Sequence, residues 1–197
     1  KQLAAELETL ARKAIEAKIR VDPEMDRNPQ KVMNVDSQDL EIFKSLFGGR
    51  KDAYGLETKN GPISVRGPLT DREIRAHLEG KKRIGIYLLL PGGLINFAVI
   101  DLDEPNKDKV TQIYVAYLEH NLFPYVEKSK SKGFHIWLFF DEPVSARMVR
   151  KILLKILKDT GIDCEVFPKQ DSLTSNNGLG NFMYSPLFGG SVKDGKT

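Results

Sequence analysis

Asp101 and Asp103 close an apolar stretch, Phe97-Ala98-Val99-Ile100-Asp101-Leu102-Asp103, that follows the turn Pro91-Gly92-Gly93. The stretch is rich in β-branched and aromatic residues and reads as a buried strand. Residues two apart on a strand share a face, so both carboxylates point the same way at the mouth of a core strand. Bare like charges there repel and raise a pKa, and a divalent cation is the economical remedy. A strand that merely runs into an acidic turn would carry the same letters, so the choice between the two readings falls to the surrounding elements.

From residue 94 onward the order of elements is informative. A strand over 94–101 is followed by a helix over 108–119, with Val110, Ile113, Tyr114 and Tyr117 periodic and Asn121 as its stop. Then come a strand over 123–127, a Ser/Lys/Gly loop over 128–133 and an alternating strand over 134–140. A long helix follows Ser145, with Met148, Val149, Ile152, Leu153, Ile156 and Leu157 inward and Gly161 ending it, and a last strand covers 162–167. This β-α-β-β-α-β series is the ferredoxin or RRM-like arrangement, an α+β core with its sheet in the order fourth, first, third, second. In that order the C-terminal end of the first strand lies beside the N-terminal ends of the third and fourth. With Ile100, Leu102, Ile136, Leu138 and Val166 under the helices, the other face carries Asp101, Asp103, His135, Trp137, Asp163, Glu165 and Phe167. Three acids and a histidine from separate segments thus converge on one corner.

Such oxygen donors suit Mg²⁺ or Mn²⁺ rather than zinc, and a pair of such ions handles phosphates. Beside them the loop Lys128-Ser129-Lys130-Ser131-Lys132-Gly133 offers ammonium groups, hydroxyls and a glycine-freed backbone, equipment for a triphosphate, to which His135 adds a donor. Cys164 falls on the helix side and is expected to be buried and inert.

The preceding residues supply a frame. A helix is expected over 3–19, a linker over 20–33 containing Pro23 and Pro29, and a helix over 37–47 capped by Asp36 or Ser37. About one strand is expected between 50 and 68. Thr70-Asp71-Arg72-Glu73 is a capping-box pattern opening a helix that ends at Gly80, and a strand over 83–90 is expected to pair with 94–101 as a hairpin. The division is 1–35 as helix and linker and 36–197 as the catalytic domain, comprising an N-terminal α/β module (36–93) packed on the open sheet face and the RRM-like core (94–188). The 197 residues carry a net charge of +3, too small to settle a nucleic-acid partner, and a single cysteine excludes an internal disulfide framework. No apolar run approaches the ~20 residues needed to cross a bilayer, so no membrane partner is expected and a cytoplasmic location is. The chain starts without Met and ends after a glycine-rich tail, which suggests a domain of a longer multidomain protein.

Three segments, Ile-Asp-Leu-Asp (100–103), Ser-Lys-Gly-Phe-His-Ile-Trp (131–137) and Glu-Val-Phe-Pro-Lys-Gln-Asp (165–171), resemble in order the three motifs of the archaeo-eukaryotic primase superfamily. The nearest likeness is to the primase-polymerase domains of TOTE conflict systems and CRISPR-associated primase-polymerases. It extends through 47–54, 77–80 with 84–87, and 178–181, and covers most of the chain from about 43 to 188. The resemblance implies template-dependent nucleotidyl transfer on a DNA template and primer from a dNTP or NTP, with two Mg²⁺ or Mn²⁺ ions on Asp101, Asp103 and Glu165. Asp163 is a substitute for Glu165, because the third motif more often has Asp.

On this reading Ser129, Lys130, Ser131, Gly133, His135 and Lys169 form the nucleotide site, the lysines acting as point charges on the phosphates. Arg50, Lys51, Lys81, Lys82 and Arg83 are weaker candidates for the template backbone. Two alternatives share the same residues. One is a non-catalytic single-strand-binding RRM-like module, with Phe97, Trp137 and Phe139 stacking bases, and the other is a metal-dependent nuclease.

Overall fold

The computed structural model describes residues 35–193 except Ser131, Thr174, Asn176 and Asn177. The first expected helix and its linker lie outside the described residues. The acidic strand forms β4 (Leu94–Leu102), buried through its centre because neighbours flank it on both edges. It pairs antiparallel with β6 (Phe134–Ser145) on one side and β7 (Glu165–Phe167) on the other, and β5 (Tyr125–Lys128) completes the sheet order β5-β6-β4-β7. This is the expected order. β6 outruns its expected end at residue 140 because Val144 and Ser145 still find partners, Ile95 and Leu94, on β4.

Two helices cross over this sheet, and each ends where side-chain chemistry supplies what the backbone lacks. Asn106 caps α3 (Lys107–Glu119) by accepting from the amides of Asp108 and Lys109, and Asn121 leaves it at φ 55°. Ser145 caps α4 (Ala146–Thr160), which stops at the left-handed Gly161. Val149, Leu153, Ile156 and Leu157 of α4 are buried as expected. Met148 and Ile152 are not, since the buried stripe is narrower than their spacing suggests.

A second sheet has the order β2-β1-β3-β8. The segment expected to hold about one strand holds a hairpin, β1 (Ala53–Thr58) and β2 (Gly61–Arg66), turning at Gly61 with φ 107°. β3 (Ile84–Tyr87) pairs with β1 and with β8 (Phe182–Tyr184), not with β4. The expected hairpin across Pro91-Gly92-Gly93 therefore reduces to a single bridge, Leu90 to Leu94, where the chain passes from one sheet to the other. β8 lies inside the range read as the RRM-like core yet returns to the second sheet. Its Phe182 ring sits over the Gly55–Gly85 register pair, where any added Cβ would come within 2.7 Å of that ring.

The two sheets share one core. α1 (Ser37–Leu46) is capped by Asp36 in a reciprocal box with Asp39. Phe47, just past its end, places its ring 5.6 Å from both Trp137 and Phe139 and 6.5 Å from Phe97. The N-terminal elements thus cover the aromatic face of the first sheet, as expected. In α2 (Asp71–Leu78), Thr70 precedes the helix without capping it. Its hydroxyl bonds the Glu73 carboxylate instead of a backbone amide, so the expected capping box gives way to a side-chain pair.

Candidate active site

The register of the first sheet sets Asp101 opposite His135 on one edge and opposite Glu165 on the other. Asp101 is half-buried and Asp103, one residue past the strand, is exposed. Burial is the main reason the Asp101 carboxyl is held above its ordinary range. The charges of Asp103, Glu165 and Glu127 push the same way, and that of His135 opposes them. Asp163 precedes β7 and has no partner in the β4–β7 register, and beside it burial pushes the Cys164 thiol up to about 11. Of the two candidates for a third acid, Glu165 is the one set beside Asp101. Its carboxylate accepts from the Lys169 ammonium at 2.7 Å, which itself lies 5.0 Å over the Phe167 ring.

His135 is held by a residue absent from the sequence reading. Glu127, opposite it in β5, accepts from His135 Nδ1 at 2.8 Å and from Trp137 Nε1 at 2.7 Å. This turns His135 Nε2 toward Asp101 Oδ1, 3.6 Å away. Burial alone would lower the imidazole pKa, but the hydrogen bond and charge of Glu127 and the charge of Asp101 outweigh it, leaving His135 more basic than usual. The available signal was parity, because Glu127 ends a strand whose neighbour carries His135 and Trp137 at alternate positions.

The loop between β5 and β6 is closed by Ser129. Its amide donates to Gly133 O at 3.0 Å, and its hydroxyl accepts from Gly133 N–H at 3.1 Å. A Cβ on Gly133 would stand 1.8 Å from Leu102 O, so only glycine lets the loop close against the acidic strand. Ser131 lies outside the described residues.

Asp101, Asp103, Ser129, Lys130 and His135 line one cleft of about 200 Å³ together with Arg83, just before β3, and Met183 and Tyr184 of β8. Arg83 belongs to this cleft, its guanidinium 4.3 Å over the Tyr184 ring, rather than to an outer surface. Arg50 is a correction to the sequence reading. It is buried, pairs through Nε and Nη2 with Asp52 at 2.7 and 2.6 Å, and donates to Gly178 O at 3.0 Å, so it ties the start of β1 to the segment before β8. Lys51 and Lys82 are exposed, as is Lys81, which pairs with Glu79 at 2.6 Å.

Among the described residues no three His, Cys, Asp or Glu side chains already stand together as a metal cage. The donors nearest to forming one are carboxylate oxygens, two of them in the cleft. Asp101 also carries a burden of neighbouring negative charge that a cation would relieve, a set that fits a hard ion such as Mg²⁺ or Mn²⁺.

Compared with known families, residues 58–197 match the TOTE conflict system, Archaeo-Eukaryotic Primase domain. The chain belongs to that family. Solved structures similar to this primase-family chain include the polymerase domain from Mycobacterium tuberculosis Ligase D in complex with DNA. That structure is 15% identical, has a TM-score of 0.49, and the match covers 76% of this chain and 72% of that one. Another is the AEP domain of the cyanophage S-2L primase-polymerase, at 14% identity and TM-score 0.46, covering 77% and 82%. No curated protein matches the primase-family chain. None of its described helices is long and apolar enough to cross a membrane.

Proposed function

We propose that this domain is a DNA primase-polymerase that transfers a nucleotide from a dNTP or NTP to a 3′-hydroxyl on a DNA template. The observation that carries this reading is the cleft itself, where two carboxylates at the end of one strand share a lining with a serine, a lysine and a histidine from the neighbouring loop and strand. Family membership supports the same chemistry. Asp101, Asp103 and Glu165 would hold Mg²⁺ or Mn²⁺. Such an ion pair supplies acidification of the attacking hydroxyl and neutralisation of the departing pyrophosphate.

The chain's own residues do the rest. Lys130 presents a positive charge to the phosphates, Ser129 and Gly133 hold the loop in shape for them, and His135, oriented by Glu127, offers Nε2 at the cleft. Lys169, paired with Glu165 at 2.7 Å, would offer its charge to phosphate. The binding-module alternative is weakened because Phe97 and Trp137 are buried beneath Phe47 and cannot stack bases.

Extension of a primed DNA template with Mn²⁺ tests the reading. Asp101→Ala is expected to lower incorporation by about 10³ or more, the loss of several kcal/mol of charge stabilisation, with the thermal transition retained. Extension by that variant at the wild-type rate would overturn the assignment, and strand cleavage without extension would favour the nuclease alternative.

A further inference from the structure

We propose that Arg83 and Lys130 form an anion seat across the cleft from the acids, and that Glu57 is its built-in occupant, which the phosphates of an incoming nucleotide must displace. The proposal rests on the reading above and assigns to it a second cation and a gate.

Arg83 immediately precedes β3 and stands beside Glu57 of the neighbouring β1, the Glu57 amide donating to Arg83 O at 2.9 Å. The Glu57 carboxylate lies 3.6 Å from Arg83 Nη1, and both its oxygens are 3.3 Å from Lys130 Nζ. Lys130 comes from the loop of the first sheet, so this carboxylate links the two walls of the cleft.

Arg83 is a poor match for so small an anion. Its side chain is only 12% exposed and its plane is fixed over Tyr184, yet its contact with Glu57 is a long one. Its buried Nε has no hydrogen-bond partner. A guanidinium offers five donors in a planar fork, and a phosphate group, with more charge and more oxygens than a carboxylate, can use them two at a time. The seat shares its cleft with Asp101, Asp103 and His135, which places an anion bound there beside the carboxylates. Glu57 then works as a competitor held on the protein, so that only a ligand with several negative charges opens the cleft.

Calorimetric titration of the whole domain with inorganic tripolyphosphate tests this without requiring catalysis. Glu57→Gln keeps the shape and removes the competing charge, and it is expected to tighten binding about fivefold or more. Arg83→Gln is expected to weaken binding about tenfold or more, with its melting curve checking the fold. In the double variant the gain from Glu57→Gln should shrink, because one of the two cations it competed for is gone.

Tripolyphosphate binding by Glu57→Gln that equals or falls below wild type overturns the proposal, as does undetectable binding by both. Primer extension run in parallel separates the two claims. Extension with no effect of Glu57→Gln on binding sinks the gate and leaves the polymerase reading. Tightened binding without extension keeps the seat and sinks the polymerase reading.

Discussion

The molecule contains two buried histidines whose surroundings drive them in opposite directions. His77, in α2, is fully enclosed. Its Nε2 donates to Pro186 O at 2.8 Å and its Nδ1 accepts the Ile84 amide at 3.2 Å, while Phe43 and Phe188 flank its ring. Its hydrogen-bond partners are backbone groups, and burial, helped by the charge of Arg83, lowers its pKa to about 4, so it stays neutral. His135 is nearly as buried, yet carboxylates stand on both sides of it and make it more basic. Burial alone therefore does not tell a structural histidine from a functional one. The partners do: main-chain groups at His77 fasten a helix to a strand, and side-chain charges at His135 face a cleft.

The sharpest way to break this contrast is His77→Ala. It leaves the Pro186 carbonyl and the Ile84 amide unpaired in the core, at about 1–3 kcal/mol each, so a stability loss of about 2–5 kcal/mol is expected by urea denaturation, larger than for His135→Ala. If His135→Ala is the more destabilising, the contrast fails.

Next in size is the pH response. The unfolded His77 titrates near 6.5 and the folded one near 4, so between those values the unfolded chain binds the extra proton. Stability is therefore lost as pH falls from about 6.5 toward 4, by up to ~3 kcal/mol. His135, raised in the folded state, contributes with the opposite sign, stabilising at low pH and fading as pH rises through its folded value. A His77→Gln variant should show a flatter acid limb in a series of urea melts. An unchanged limb would mean that His77 is not the group responsible.

The smallest effect is expected at Glu127→Gln. Loss of the charge that orients His135 should cut primer extension by about 10–100-fold, the usual scale for a residue supporting a functional ligand, while Trp137 remains packed between Phe47 and Phe139. Full activity in Glu127→Gln would reduce that carboxylate to a core hydrogen-bond acceptor for Trp137.

What could be read from the sequence was whatever repeats a local pattern. The acidic strand, the caps at Asp36, Ser145 and Gly161 and the alternation of β6 all announce themselves within a few residues, and the crossover order then brings Asp101, His135 and Glu165 together. Apart from the box at Thr70 and the exposed Met148 and Ile152, the losses were non-local. Nothing near Phe182 announces that three residues will cross back to the second sheet, because the floor they rest on is two glycines, at 55 and 85, far earlier in the chain. The apolar runs before and after Pro91-Gly92-Gly93 look like hairpin partners, yet each finds a better mate elsewhere. Arg50 reads as a surface cation until Asp52 and Gly178 enclose it. Glu57 carried no signal at all, since its importance lies in two cations from other segments.

The return of β8 to the second sheet has a practical corollary for anyone who cuts or splices this protein. A fragment stopped after Asp171 would keep all three motifs and the histidine, but would lose Met183 and Tyr184 from the cleft wall and strip β3 of its outer neighbour. The smallest unit worth expressing is accordingly longer than its motifs, and reporter insertions are better aimed at the β1–β2 turn, where Asn60 and Gly61 stand away from the cleft-lining residues.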